Sequence, residues 1–221
     1  MIAGGRPNLI GISGKMGSGK DTLSIVMNYI ADDNAPDSIG RWTQDVDDFA
    51  YKNKKYSEKL KYMVCFLIGC NRSDLEDREF KEKELGEEWD GLTPRKLLQL
   101  LGTEAGRQII HPNIWVNALF ADWKSGYVEQ GAGWIETEDD YPNWIVTDVR
   151  FPNEAKAIKD RGGILIRINR PQYLDNGLVI RKDEHLSETA LDDYDGFDYV
   201  IENDTDSVQD LVNKVKELKI V

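Results

Sequence analysis

The chain has 221 residues, enough for one sizeable α/β domain with a small insertion or lid. Its 28 basic and 40 acidic residues give a formal net charge of −12, and an acidic surface repels nucleic-acid backbones, so we expect no nucleic-acid polymer as a main partner. No apolar run approaches the ~18 residues of a membrane span, and no signal-peptide pattern opens the sequence, which predicts a cytoplasmic protein without a membrane partner. Cys65 and Cys70, five residues apart, should not share a helix face, so reduced thiols are expected rather than a disulfide or metal site.

A glycine-rich segment near the N-terminus carries the clearest signal, because it lies between a predicted strand and a predicted helix. Residues 9–13 are apolar and rich in β-branched side chains, and apolar positions at helical spacing follow within residues 22–30. The segment between them, GKMGSGKDT, predicts a phosphate-binding P-loop, in which backbone N–H groups and a helix N-terminus hold anions. The expected ATP-binding residues of this loop are Gly14, Gly17, Ser18, Gly19, Lys20, Asp21 and Thr22.

The position after the loop lysine departs from the general P-loop pattern. Asp21 stands where Ser or Thr is expected, and the hydroxyl comes one residue later, at Thr22. Nucleoside monophosphate kinases share this displaced hydroxyl, so the departure favours small-molecule kinases over switch GTPases. Lys20 should bring a positive charge to the phosphates of the nucleotide, and Lys15 is a candidate contact for the phosphate of an acceptor.

Strands and helices alternate along the rest of the chain. Residues 41–49 are ambiguous, and one interpretation is a second strand that ends near residue 50. Helices are expected from about residue 57 to 69, from Thr93–Pro94 to Arg107, around 115–120, over 152–161 and after a cap at Thr205 or Asp206. Strands are expected at 143–148, 163–169 and 199–201, a hairpin or loop at 123–142, a charge-rich helix or linker at 72–88, and a polar basic loop at 170–188. This alternation predicts an α/β fold with a parallel sheet covered by helices on both faces.

Asp148 closes an apolar strand, and such a strand-end acid in a P-loop enzyme commonly holds Mg²⁺. Thr22 and Asp148 are therefore the predicted metal ligands, although many strands end in an aspartate that only serves a turn. Arg150 and Glu154 follow at the carboxyl edge of the predicted sheet, where such folds bind ligands. Arg150 could neutralise a phosphate or could pair with Glu154 or Asp148.

Phosphoryl transfer depends on positioning and positive charge, so arginines from several segments should converge on the phosphates. The candidates are Arg72, Arg107, Arg150 and Arg170. Arg107 ends a predicted helix, where the helix dipole alone favours a cation, so a structural role and an acceptor-phosphate role stand equal. Trp115 could stack on a base, although a tryptophan at helical spacing more often belongs to the core.

Four stretches together resemble the deoxynucleoside monophosphate kinases of tailed bacteriophages: residues 14–22, 75–83, 93–107 with 111–115, and 147–155. The resemblance implies a single P-loop NTPase-type kinase domain over residues 1–221, with a helical acceptor-binding region at about 50–120 and a lid at about 170–190. It implies transfer of the γ-phosphoryl group of ATP to deoxynucleoside 5′-monophosphates, which gives diphosphates for DNA synthesis, with Mg²⁺ as cofactor. It also implies a homodimer, in the host cytoplasm if the protein is phage-encoded.

This interpretation assigns the candidate residues to three groups. The catalytic residues are Lys20, Asp148 and Arg150, Arg170 joins the ATP site, and the acceptor-binding residues are Lys15, Arg72, Arg107, Trp115, Arg150 and Glu154. Two alternatives stay open: a P-loop kinase of another small anion, such as dephospho-coenzyme A, and a nucleotide switch or packaging component without an acceptor. A screen of acceptors separates the deoxynucleotide kinase from a kinase of another small anion. Hydrolysis of ATP without an acceptor would indicate the switch or packaging component.

Overall fold

The computed structural model describes residues 6–42, 49–125, 127–130, 133–136, 141–171 and 186–221. Residues 43–48 of the ambiguous run and residues 172–185 of the predicted lid lie outside this described part. The chain divides into two compact units, of which unit 1 comprises Met1–Lys54 and Trp123–Val221, and unit 2 comprises Lys55–Asp122. Unit 2 corresponds in sequence to the region predicted as helical. No helix within the described ranges is long and apolar enough to cross a membrane.

Unit 1 contains a five-stranded sheet in which every described pairing is parallel. In chain order its strands are β1 (Leu9–Ser13), β2 (Lys52–Lys54), β5 (Trp144–Val146), β6 (Ile164–Asn169) and β7 (Tyr199–Glu202). A separate antiparallel hairpin, formed by β3 (Tyr127–Gln130) and β4 (Gly133–Glu136), precedes β5. The spatial order is β2-β5-β1-β6-β7, so β1 lies centrally between two strands that come much later in the chain. The predicted α/β fold with a parallel sheet is confirmed.

The helices of unit 1 are α1 (Lys20–Ala31), α6 (Pro152–Lys159), α7 (Leu186–Thr189) and α8 (Val208–Leu218), with a short 3₁₀ turn at Ile39–Arg41. Alternation along β1 divides its side chains between the two faces of the sheet. Ile10 and Ile12 belong to one buried cluster with apolar residues of α1 and α8. Gly11 faces the other way, where an added Cβ would come within 2.4 Å of the Ile158 side chain on α6. Helices therefore cover both faces, which fixes the sheet and the loops at its carboxyl edge.

Two sequence predictions in unit 1 are corrected. The second strand lies at Lys52–Lys54, beyond residue 50, and its sequence Lys-Asn-Lys lacks apolar residues because β2 is a largely exposed edge strand. The cap of α8 is Ser207, whose hydroxyl accepts from the Asp210 N–H at 3.2 Å, in place of Thr205 or Asp206.

Unit 2 is helical, with α2 (Glu58–Ile68), α3 (Arg78–Glu82), a 3₁₀ turn at Glu87–Trp89, α4 (Pro94–Gln99), a π-helix at Leu100–Ile110 and α5 (Ile114–Phe120). Thr93 caps α4 as predicted, since its hydroxyl accepts from the Lys96 N–H at 3.1 Å. The helix expected to reach Arg107 thus changes to the wider π form after Gln99, and the His111 N–H donates to the Gly106 carbonyl at 2.9 Å across its end. Such π segments are rare and often occur at functional sites.

The two cysteines are closer than their spacing predicted. Helix α2 ends at Ile68, and Gly69 adopts a left-handed conformation with φ 69°. That turn brings the Sγ of Cys70 to 3.5 Å from the Sγ of Cys65. The helix-face argument was therefore wrong, because Cys70 lies beyond the helix. Both residues are free thiols in the structure, and burial raises the pKa of Cys70 to about 11, which favours its protonated form.

Candidate active site

The P-loop follows β1 at the carboxyl edge of the sheet and packs tightly against the end of β6 and the residue after β7. An added Cβ at Gly14 would lie 2.5 Å from the Ile168 carbonyl, and one at Gly19 would lie 2.7 Å from the Asn203 amide nitrogen. Gly19 also has φ 99°, which other residues rarely adopt. Glycine is therefore required at both positions for the loop to turn its backbone towards a ligand.

Asn203 supports the loop from the neighbouring strand, a role that the sequence did not suggest. Its buried side-chain amide donates to the Ser18 carbonyl at 3.0 Å, and its own backbone N–H donates to the Asn169 carbonyl at 2.7 Å. The available signal was a polar residue close to the end of the strand predicted at 199–201, similar to the signal that singled out Asp148. Asn203 thus fixes the position of the phosphate-binding loop relative to the sheet.

Lys20 lies at the centre of the charged groups around the loop. Its Nζ donates to the carbonyls of Gly14 at 2.6 Å and Lys15 at 2.7 Å. Burial, followed by repulsion from the Arg150 guanidinium, lowers the pKa of Lys20 to about 8, while nearby carboxylates act in the opposite direction. Those carboxylates belong to Glu188, Asp21 and Asp148. The structure therefore brings together Lys20, Asp148 and Arg150, the three predicted catalytic residues.

Asp148 reaches this position because strand pairing continues past the end of β5. The Val149 N–H donates to the Ile12 carbonyl at 3.1 Å, so the chain after β5 stays alongside β1 up to the start of the P-loop. Asp148 is buried there, within electrostatic range of Lys20. This arrangement is the one expected of a strand-end carboxylate that serves the nucleotide phosphates.

Arg150 is oriented by Glu154 through the backbone. Glu154 is 1% exposed, and its carboxylate accepts from the N–H groups of Arg150 at 2.8 Å and Phe151 at 3.1 Å. This cap fixes the turn before α6 and leaves the Arg150 guanidinium to pair with Glu188, a partner that the sequence did not suggest. Glu154 is thus placed to position Arg150, and its own contact with an acceptor stays a prediction.

Lys15 contacts the segment after α7 by an ion pair. Its Nζ lies 3.0 Å from an Asp192 carboxylate oxygen, and the other oxygen lies 3.1 Å from the Arg167 guanidinium. Arg167 on β6 also donates to the Ser13 hydroxyl at 3.1 Å, so a fourth cation stands beside the loop. Sequence reasoning missed Arg167, although a charged residue within an otherwise apolar strand was a usable signal.

Arg170, predicted to bind ATP, follows β6 and pairs with Asp206, which is almost fully exposed. An exposed pair of this kind is easily exchanged for another anion. Its contact with ATP stays a prediction.

The predicted acceptor residues of unit 2 have structural partners of their own. Arg72 pairs with Glu58 at 2.8 Å and with Glu76 at 2.6 Å. Trp115 is 4% exposed, and its indole N–H donates to the Gly102 carbonyl at 2.8 Å. It therefore occupies a core position, one of the two roles that the sequence left open. Arg107 lies in the π-helix. The acceptor roles of these three residues stay predictions.

Of the predicted metal ligands, Thr22 lies on α1, and Asp148 lies two residues after the end of β5. Among the residues that the structure describes, no three His, Cys, Asp or Glu side chains are grouped so that they could hold a metal alone. A Mg²⁺ ion in a kinase needs no such group, because substrate phosphates and waters fill most of its coordination sphere. The hydroxyl oxygens of Ser18 and Thr147 are buried without a hydrogen-bond partner in the described part, as in a site that accepts a polar ligand.

Taken together, a P-loop at the carboxyl end of the central strand, with a lysine and a strand-end carboxylate beside it, defines a nucleotide-binding enzyme of the P-loop kinase class. The family model for deoxynucleotide monophosphate kinases matches residues 45–215. The chain belongs to the deoxynucleotide monophosphate kinase family, so it is a phosphotransferase. Because this match begins after the P-loop, the loop is a separate observation that agrees with the family.

Two relatives extend over most of the chain. A protein of Acanthamoeba polyphaga mimivirus, provisionally named deoxynucleotide monophosphate kinase, is 27% identical over 88% of this chain and 88% of its own length. The deoxynucleoside-5′-monophosphate kinase of Escherichia phage T5 is 28% identical, with 69% of this chain and 72% of its own length covered. The predicted resemblance to viral kinases of this type is confirmed.

Proposed function

We propose that the protein transfers the γ-phosphoryl group of ATP to deoxynucleoside 5′-monophosphates and releases the corresponding diphosphates and ADP. The observation that carries this proposal is the convergence of Lys20, Asp148 and Arg150 at the P-loop of a chain from this family. The printed names of both relatives agree with a deoxynucleotide acceptor. The cytoplasm, where such nucleotides are made, is the proposed compartment, and a homodimer is the proposed state, which light scattering would test.

The residues of the loop divide the work of phosphoryl transfer, which needs positioning and charge stabilisation more than covalent chemistry. Backbone N–H groups of residues 14–22 bind the donor phosphates, and Lys20 exchanges its two carbonyl contacts for phosphate oxygens. Arg150 exchanges Glu188 for the transferring phosphoryl group, and Lys15 exchanges Asp192 for the acceptor phosphate. For Arg150 and Lys15 the exchange replaces one anion by another, so neither cation is left uncompensated in a partly buried site.

Thr22 and Asp148 would hold the Mg²⁺ ion that accompanies ATP. Their fit is supported by the chemistry of a hydroxyl and a buried carboxylate beside a phosphate loop, the oxygen donors that Mg²⁺ prefers. Bound there, the ion would neutralise charge on the β- and γ-phosphates. Asp148 also raises the pKa of Lys20 and so favours the charged lysine that the phosphates require.

The test is an ADP-release assay with Mg²⁺ and ATP across the four deoxynucleoside monophosphates, their ribose counterparts, dephospho-coenzyme A and a reaction without acceptor. The proposal expects rapid turnover with at least one deoxynucleotide and little with the last two. Turnover with dephospho-coenzyme A alone would favour the other kinase. Equal ADP release with and without acceptors would indicate an ATPase or switch and would overturn the proposal.

A further inference from the structure

The carboxylates of Glu188 and Asp192 contact groups that the P-loop would offer to phosphates. One oxygen of Glu188 accepts from the backbone N–H of Met16, inside the loop, at 3.2 Å, and the other pairs with the Arg150 guanidinium. Asp192 bridges Lys15 and Arg167 at 3.0 and 3.1 Å. Four donors from three separate segments are therefore satisfied by two carboxylates that lie four residues apart.

A P-loop backbone N–H is an unusual partner for a carboxylate of the same chain, because these groups form an anion nest whose ligand is a phosphate. Glu188 is 22% exposed on the side-chain scale, so it is set into this position rather than simply extended into solvent. The Glu188 carboxylate lies between the loop backbone and an arginine, which is where a phosphate of a bound nucleotide is expected. Both carboxylates come from one short stretch, α7 and the turn after it, so they can leave together.

We propose that Glu188 and Asp192 are built-in competitors of the nucleotide, which hold the Met16 N–H, Lys15, Arg150 and Arg167 until phosphates displace them. This inference rests on the proposed function only in that ATP is the displacing ligand. It gives the nucleotide-free enzyme a compensated phosphate site and makes the contacts of Glu188 and Asp192 dependent on what the site contains. If a contact must be released before a ligand binds, only the molecules without that contact can bind it. The apparent dissociation constant is then the intrinsic constant divided by the fraction of such molecules.

The experiment compares the ATP affinity of Glu188→Gln, Asp192→Asn and the wild type by calorimetry in EDTA, so that no metal contributes. Asp193→Asn is the matched control. Asp193 is an exposed carboxylate next to Asp192, so its substitution removes the same charge from the same part of the chain. We expect the dissociation constant to fall about fivefold for Glu188→Gln and by a smaller factor for Asp192→Asn. Asp193→Asn should leave it unchanged.

The apo protein provides a second readout with the opposite sign. Glu188→Gln should lower its melting temperature slightly, because the ion pair with Arg150 is lost, although ATP binds more tightly. Unchanged or weaker ATP binding by both Glu188→Gln and Asp192→Asn would overturn the proposal, as would an equal gain in the Asp193→Asn control. A rise in the Mg²⁺ concentration for half-maximal activity of Glu188→Gln would make Glu188 a metal ligand and would also overturn it.

Failure of the proposed function would leave a different result. If the wild type transfers no phosphate to any deoxynucleotide, the acceptor assignment fails, but the ATP affinities in EDTA still report whether the carboxylates compete. If transfer is normal and those affinities do not change, only the competition is wrong.

Discussion

Arg72 of unit 2 and the cations beside the P-loop of unit 1 are neutralised in different ways. In unit 2, Arg72 pairs with Glu76, four residues away, and with Glu58 on the adjacent α2. In unit 1, the Glu188 carboxylate reaches a P-loop N–H 172 residues away, and Asp192 reaches Lys15 across 177 residues. The local pairs tie together elements of one unit, whereas the distant ones depend on a single short segment. We therefore expect that a ligand can replace the pairs beside the P-loop without disrupting the fold of unit 1.

The strongest way to break this comparison is to remove the cation of the P-loop. Lys20→Met keeps the aliphatic stem but removes the charge from a largely buried phosphate site, so we expect kcat/KM to fall roughly 10²–10³-fold or more, as for loss of one preorganised donor. The melting temperature should not fall, since Lys20 donates to loop carbonyls and burial already disfavours its charged form. Lys156→Met, on the exposed face of α6, is the control. A folded Lys20→Met variant with near-normal kcat would refute the P-loop assignment.

Asp148 and Arg150 lie at the same sheet edge but should fail in different ways. Asp148→Asn keeps the shape and removes the charge offered to Mg²⁺, so activity should fall about tenfold or more and the Mg²⁺ concentration for half-maximal rate should rise. Arg150→Ala should raise the acceptor KM or lower kcat at a normal Mg²⁺ dependence, because an arginine cannot ligate a cation. Kinetics at varied Mg²⁺ decide between these outcomes. Equal loss of melting temperature in both variants, with unchanged metal dependence, would make the pair structural.

The low pKa of Lys20 predicts a pH dependence confined to unit 1. Burial and Arg150 lower this pKa to about 8, so without nucleotide the lysine loses its proton well below its ordinary pKa of 10.5. Phosphates favour the charged form, so ATP binding takes up a proton above pH 8, and the dissociation constant should rise up to about tenfold per pH unit there. The stability of the protein without nucleotide changes in the opposite direction. The unfolded chain keeps the lysine proton up to a pH near 10.5, so the contribution of this group to the free energy of unfolding rises as the pH increases from about 8 to 10.5.

Calorimetric titrations from pH 6.5 to 9.5 would locate the break, which is the pH above which the dissociation constant of ATP begins to rise. Lys20→Met should lack it, and Arg150→Ala should move it to higher pH because the repelling charge is gone. A wild-type affinity that is flat across this range would show that the lysine stays charged without nucleotide.

Sequence predicted those parts of the site that are local or lie at strand ends. The P-loop is contiguous in the chain, and Asp148 follows a recognisable apolar strand, so both could be found from spacing alone. Glu188 and Asp192 could not, because their contacts join segments whose distance in sequence carries no pattern. Strand β2 was misplaced for a related reason: an exposed edge strand needs no apolar alternation.

The helices of unit 2 also show a limit of prediction from sequence, because the sequence does not reveal which of their apolar side chains are buried. Among the apolar residues of α2, Leu60 and Val64 are buried, whereas a second group is exposed. That group comprises Met63, Phe66 and Leu67. Hydrophobicity predicts that a helix forms and where it ends, but its neighbours decide which apolar side chains are covered.

The smallest expected effect tests the local pairs of unit 2. Although burial alone would raise it, the ion pairs with Lys61 and Arg72 lower the pKa of Glu76 to about 2. This stabilisation is present above the unfolded value of 4.5 and is lost as the pH falls from there towards 2. Arg72→Met should therefore lower the free energy of unfolding at pH 7 by about 1 kcal/mol and make it less sensitive to acid.

Urea unfolding at pH 7 and pH 3 measures both effects. Lys156→Met removes an exposed pair with Asp160 at the same spacing in unit 1, and it should cost no more than about 0.5 kcal/mol at either pH. If the ion pairs with Glu58 and Glu76 are the whole role of Arg72, the acceptor KM of Arg72→Met stays near that of the wild type. A raised acceptor KM without loss of stability would instead support the predicted acceptor contact, and the contrast between the two units would no longer hold.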